Sequence, residues 1–167
     1  MSNKWMKSGL VTAAMMAVTL SGAAAAATPQ ETIAALDARL AKIGGPKLEG
    51  TEKAGAMMVP GLYFGVRKIN NNYDVVDDIK KDTGATATVF VKSGDEFVRV
   101  STNVLTPEGK RGVGTTLARA KAYDAVNGGK QFCGQVDVLG TSFDACYNPI
   151  KGKDGKVIGA TYIGYKK

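Results

Sequence analysis

Residues Val89–Val104 read VFVKSGDEFVRVSTNV, and their pattern decides the fold. Two runs rich in β-branched and aromatic residues flank Ser93-Gly94, the composition of a tight hairpin turn. Strands are predicted over Ala85–Lys92 and Glu96–Val104. A turn at Ser93-Gly94 opposes Val89 to Val98 and Phe90 to Phe97. Alternation then sorts the side chains onto two faces. One face carries Ala87, Val89, Val91, Val98 and Val100 and reads as plain core. The other carries Thr86, Thr88, Phe90, Phe97, Arg99 and Ser101, an amphipathic surface suited to lining a ligand site.

Upstream, Thr28-Pro29-Gln30-Glu31 has the composition of a capped helix start, with Pro29 in the first turn and Glu31 in the capping-box position. Ile33, Leu36, Leu40 and Ile43 follow at helical spacing until Gly44-Gly45. Pro46 to Pro60 shows no clear period and is expected to wrap the domain as a loop. Leu62–Val66 is expected as a first strand, and Tyr73–Asp82 as a short helix ended by Gly84. Downstream, Pro107–Gly114 reads as a glycine-rich loop and Thr115–Val126 as a helix closed by Gly128-Gly129. Three strands complete the chain, over Gln131–Val138, Thr141–Ile150 and Val157–Tyr165, the last two joined by the turn Gly152-Lys153-Asp154-Gly155. Helices over an antiparallel sheet define an α+β class, with about five to six strands in the sheet.

The chain begins with the pattern of a secretory signal. Lys4 and Lys7 give a basic start, Leu10–Leu20 an apolar stretch, and Ala23–Ala27 a small-residue cleavage region. Cleavage is expected after Ala27. The competing reading is an uncleaved anchor, but Thr12, Thr19, Ser21 and Gly22 dilute a segment that would need about 20 strongly apolar residues. Removing residues 1–27 leaves a single domain, 28–167, of 167 − 27 = 140 residues. Loss of Lys4 and Lys7 lowers the formal charge from +7 to +5. The positive residues are dispersed, without the clustering that nucleic-acid binding needs, so they favour anionic ligands or a solvated surface. No second apolar run follows the signal, and the mature protein is expected to be exported and free of the membrane.

The sequence contains no histidine. Ser-His and Cys-His catalysis and histidine metal sites are thereby excluded, and no nucleophile–base pair remains to suggest an enzyme. Asp77-Asp78, and Asp137 with Asp144, supply too few oxygens in one loop for calcium and are read as solvated. No metal or cofactor is expected. Cys133 and Cys146, the only cysteines, lie at equal distances from a turn at Leu139-Gly140 and so oppose each other. On a non-hydrogen-bonded rung the Cα atoms approach to about 4.5 Å, close enough for a disulfide. Export favours the oxidised pair; a redox-sensing pair is the alternative.

The hairpin, together with Tyr73–Thr88 (YDVVDDIKKDTGATAT), Glu108–Leu117 (EGKRGVGTTL), Tyr147-Asn148-Pro149-Ile150 and Asp154–Gly159 (DGKVIG), resembles the Cache family of extracytoplasmic sensor domains. The closest likeness is to the Cache 3/Cache 2 fusion type of bacterial chemoreceptors, over roughly Leu62–Tyr165. The resemblance implies a PAS-like fold and a small-molecule ligand such as a short carboxylate, held by polar and cationic groups on the central sheet. That role falls by resemblance on Arg99 and Ser101, with Thr88 on the same predicted face. Arg99 has a planar fork that suits a carboxylate; an ordinary exposed arginine is the competing reading. Arg111, in a loop leading to a predicted helix start, is a second candidate, although the segment lacks phosphate-loop spacing. Tyr147 shares the apolar face of the last hairpin with Phe132, Val136 and Phe143, as core or as a ligand contact. Cache relatives usually continue into a membrane helix and a signalling module, whereas this chain stops after the last strand. The expectation is therefore a stand-alone periplasmic binding domain acting with a separate membrane receptor or sensor kinase. The alternative is a structural or interaction module that keeps the fold without a ligand.

Overall fold

The computed structural model describes residues 26–167; the signal-peptide reading lies outside them. Helix α1 (Pro29–Ile43) begins as its sequence predicts. The Glu31 amide donates to Thr28 Oγ1 at 3.2 Å, and the Thr28 amide donates to Glu31 Oε2 at 2.8 Å. This reciprocal cap satisfies two backbone donors that the helix itself cannot.

The segment expected to be a loop is instead a hairpin. Strand β1 (Pro46–Ala54) pairs antiparallel with β2 (Met57–Phe64), and a short β3 (Arg67–Lys68) completes a three-stranded sheet. Two features hid β1. Nearly all its side chains are exposed or half-exposed, and the register shifts between Leu48 and Thr51, so no alternation survives. Strand β2 supplies the packing instead, burying Val59, Leu62 and Phe64.

Helix α2 (Asp74–Thr83) ends where Gly84, at φ 78°, donates its amide to the Lys80 carbonyl. A five-stranded antiparallel sheet follows, built from β4 (Thr86–Ser93), β5 (Glu96–Thr102), β6 (Phe132–Val138), β7 (Thr141–Lys151) and β8 (Val157–Lys166), in spatial order β5-β4-β8-β7-β6. In the β4–β5 hairpin, Ser93 faces Glu96, Val91 faces Val98 and Phe90 faces Arg99. The turn is centred on Gly94-Asp95 rather than Ser93-Gly94. That slip of two residues keeps every side chain on its predicted face, because the pleat repeats every two.

A register shift between Val89 and Phe90 changes the faces further along. Val89 pairs with Ser101 and Thr88 with Thr102, the signature of a bulge in β5. Ser101 is thus turned to the Val89 face, away from Arg99, and donates to the Asn72 carbonyl at 2.6 Å. Thr102 takes its place beside Thr88, the two hydroxyls 2.6 Å apart and buried. Asn103 donates to the Val76 carbonyl at 2.6 Å and accepts from the Ala87 amide at 2.7 Å. The Ser-Thr-Asn run of the motif therefore staples β5 to α2 and β4.

The predicted helix over Thr115–Val126 shrinks to α3 (Lys121–Asn127). Residues 112–117 instead run as an extended strap beside β5. The Arg99 amide donates to the Thr115 carbonyl at 2.9 Å and the Leu117 amide to the Phe97 carbonyl at 2.9 Å. Gly114, at φ 85°, fits where a Cβ would lie 2.5 Å from the Ala54 carbonyl oxygen. The strap therefore threads between the first hairpin and the main sheet.

Two cores form on opposite faces of the large sheet. One holds Leu36 and Leu40 of α1, Val76 and Ile79 of α2, residues of β2, and Val89, Val91, Val98 and Ile163. The other holds Phe90, Phe97, Phe143, Tyr147 and Tyr162 under Leu117 of the strap and Ala122, Tyr123 and Val126 of α3. The last hairpin turns at Leu139-Gly140, with φ of 52° and 83°, and pairs Cys133 with Cys146. The two form a disulfide across 4.1 Å between Cα atoms.

Helix α1 is latched to the sheet by Asp37, which accepts from Asn148 Nδ2 at 2.5 Å and from Thr161 Oγ1 at 2.6 Å. Asn148, next to Tyr147 on β7, is thus covered by a helix. Burial raises the Asp37 carboxyl above its ordinary value, against the lowering effect of its two donors. A raised folded-state pKa gives stability that is complete below the unfolded value of 3.8 and is lost as pH rises through the folded one. The unfolding free energy of wild type, relative to Asp37→Asn, is therefore expected to fall as pH climbs from 3.8 and then to level off. Paired denaturant titrations across that range would read it; a gap that widens would show the carboxylate to be the favoured form.

Candidate functional site

The side chain that stands out is Arg99. It projects from β5 into the core beneath the strap and is only 4% exposed. Its guanidinium carbon lies 4.9 Å from the centroid of the Phe90 ring. Nη1 donates to Thr115 Oγ1 at 2.9 Å and to the Thr116 carbonyl at 3.0 Å. Nε is buried with no hydrogen-bond acceptor. Among the described residues, no carboxylate forms an ion pair with it. Burial lowers its pKa, partly opposed by the nearby phenols of Tyr147 and Tyr162. A buried cation without a counter-charge is among the least favourable groups a core can hold.

Aromatic rings surround this cation. Tyr147 and Tyr162 pack at 4.9 Å between centroids, and Tyr147 lies 6.4 Å from Phe90 and 6.3 Å from Phe132. Burial raises both phenols, Tyr162 to about 12 and Tyr147 further. Both stay neutral at ordinary pH and can donate hydrogen bonds. The Tyr162 hydroxyl lies 3.2 Å from Thr86 Oγ1.

A cavity of about 520 Å³ opens beside these rings, between the Leu117–Ala122 segment and strands β6 and β7. Its apolar walls are Leu117, Ala118, Ala122, Phe132, Val136 and Tyr147, with Lys121, Gln135 and Asp137 among them. The volume falls within the range of small-molecule sites, about 300–1,000 Å³. Arg99 does not line this cavity. Tyr147 is common to both, forming part of the cavity wall and sensing the guanidinium charge.

The other residues singled out from sequence are placed differently. Ser101 lies on the opposite face of β5, so the shared surface expected for Arg99 and Ser101 does not form. Thr88 is on the correct face but is fully buried against Thr102. Arg111 is held in a two-pronged ion pair, Nη1 to Asp77 Oδ1 and Nη2 to Asp77 Oδ2, both at 2.8 Å. It also donates to the Thr102 carbonyl at 2.9 Å and stacks 4.3 Å from the Tyr73 ring centroid. Arg111 thus ties the loop to α2, and Asp77 is a partner rather than a solvated charge. Tyr162 and the strap threonines Thr115 and Thr116 escaped the sequence reading. Tyr162 could have been found, because it pairs directly with Tyr147 across β7 and β8.

Among the described residues no group of three or more acidic or sulfur side chains could hold a metal ion, and no helix is long and apolar enough to cross a membrane. Fold and site together define an α+β module with a cation enclosed by aromatic rings beside a cavity of about 520 Å³. The family model of the Cache 3/Cache 2 fusion domain matches residues 11–167. The chain belongs to that family, whose members are extracytoplasmic sensor domains of the kind found in chemoreceptors and not enzymes. No curated protein matches the chain.

Proposed function

We propose that this is a periplasmic sensor domain that binds a small organic anion on the strap side of its five-stranded sheet, with Arg99 as the charge partner. The observation that carries this reading is the buried guanidinium whose Nε has no acceptor and which, among the described residues, has no carboxylate paired with it. A protein keeps such a group where a ligand supplies the missing charge. A sheet covered by helices on one face and by the strap and α3 on the other supports a PAS-like arrangement in which the covering segments enclose the ligand. A membrane receptor or sensor kinase would then read the loaded domain.

A thermal-shift screen of short carboxylates, amino acids and purines tests the reading. A ligand present at 100 times its dissociation constant adds about 2.7 kcal/mol, a shift that is easily resolved. Hits are expected among anions, with affinity about tenfold to a hundredfold weaker in Arg99→Met. A screen with no anionic hit would favour an interaction module that keeps the fold without a ligand.

A further inference from the structure

We propose that β6 is an association edge, through which two copies of this chain pair antiparallel about a two-fold axis at Gln135 and join their large sheets into one. Strands β1, β3, β5 and β6 are the sheet edges, and all but β6 are protected against such pairing. The strap bonds to the outer side of β5, the Arg99 amide to the Thr115 carbonyl and the Leu117 amide to the Phe97 carbonyl, each at 2.9 Å. Strand β1 carries Lys47, Glu49, Glu52 and Lys53 and a shift of register, and β3 is two residues long. Strand β6 has none of these protections. Its 7 residues pair with β7 in unbroken register and include no proline or lysine. Among the described residues no strand lies on its other side.

The turn at Leu139-Gly140 fixes which backbone groups point outward. Val138 and Thr141 close the two-residue turn as a hydrogen-bonded rung, and the rungs alternate from there. Cys133, Gln135 and Asp137 therefore fall on non-hydrogen-bonded rungs, with their amides and carbonyls facing away from β7. An axis at Gln135 sets that residue opposite itself and Cys133 opposite the second copy's Asp137. Each of these outward amides then meets an outward carbonyl, two hydrogen bonds to a rung.

The side chains fit a second copy. Asp137 is the only charged residue of β6, and this register holds its two copies at opposite ends of the seam. Its carboxylate is turned back to the hairpin, accepting from the Gly140 amide at 2.9 Å. Cys133, Gln135 and Asp137 are exposed, whereas Phe132, Val136 and Val138 pack towards the aromatic core. A like strand continues both surfaces. The second copy's Val136 comes opposite Gly134, over which the Phe132 ring lies, a Cβ there falling 3.2 Å from Phe132 Cζ. The seam thus gains an apolar contact on the core side.

The test is sedimentation equilibrium of the exported protein at low salt. A seam of one strand is a small interface, so a reversible dimer is expected, with a dissociation constant on the order of 10–100 μM. Gln135→Lys and Gln135→Glu each place like charges face to face on the axis, and each should dimerise about threefold to tenfold more weakly. An equimolar mixture of the two should recover dimer as the heterodimer. Gln135→Pro removes an outward amide that β7 does not use, so it should be monomeric with its Tm nearly unchanged. Wild type that stays monomeric up to about 1 mM would overturn the proposal. So would a dimer indifferent to the charge variants, or one that they weaken without recovery in the mixture, since the axis would then lie elsewhere.

Discussion

Replacing Arg99 with methionine is expected to stabilise the ligand-free protein while weakening its affinity for anions. Methionine has a similar length, fills irregular spaces, and can lie against the Phe90 ring as the guanidinium does. The substitution removes a buried charge that has no counter-ion. Exchanging buried ionic groups for apolar ones of similar volume stabilises by about 1–4 kcal/mol in favourable cases. Two hydrogen bonds to Thr115 and Thr116 are lost, which offsets part of the gain. A rise of about 1–2 kcal/mol remains, or roughly 3–7 °C in Tm for a domain of this size. Anion affinity should fall by about tenfold to a hundredfold, since a charge-assisted pair contributes about 1.5–3 kcal/mol. Opposite signs in stability and binding are the signature of a group kept for function. A destabilised variant would instead make Arg99 a strap anchor whose hydrogen bonds outweigh its buried charge.

Reduction of the disulfide, or the double substitution Cys133→Ala/Cys146→Ala, is expected to lower stability by about 3 kcal/mol. The cysteines are separated by 13 residues and join β6 to β7. Strand β6 lies at the edge of the sheet with β7 as its only strand neighbour, and it contributes Phe132 and Val136 to the cavity wall. Loss of the cross-link should therefore also weaken ligand binding, although no residue that would touch the ligand is altered. Chemical denaturation with and without reductant measures the first effect. Unchanged stability after verified reduction would show that the hairpin ladder alone defines the edge.

The legible parts of this fold are those in which one local rule acts alone. The cap of α1, the glycine stop of α2, the turn at Leu139-Gly140 and the pairing of Cys133 with Cys146 each follow from a few adjacent residues. The β1–β2 hairpin was not legible, because β1 is held by backbone pairing and carries almost no buried side chain. The strap looked helical from its sequence, yet its backbone bonds go to β5. On the candidate site, alternation placed Arg99 and Tyr147 on the correct face. The bulge that sends Ser101 to the other face has no marker in the sequence. Nor could sequence reveal that Arg111 already has a partner, since Asp77 lies 34 residues away.

Tyr147 and Tyr162 face each other on one rung of the β7–β8 ladder, and Asn148 and Thr161 occupy the next. The first rung carries the rings beside Arg99; the second holds the Asp37 latch of α1 on the far side. The sheet is thus a diaphragm one backbone thick, with the tyrosine pair hung from one surface and the helix from the other. A ligand of the proposed kind that displaced either ring would pull on the same two strands from which α1 is suspended.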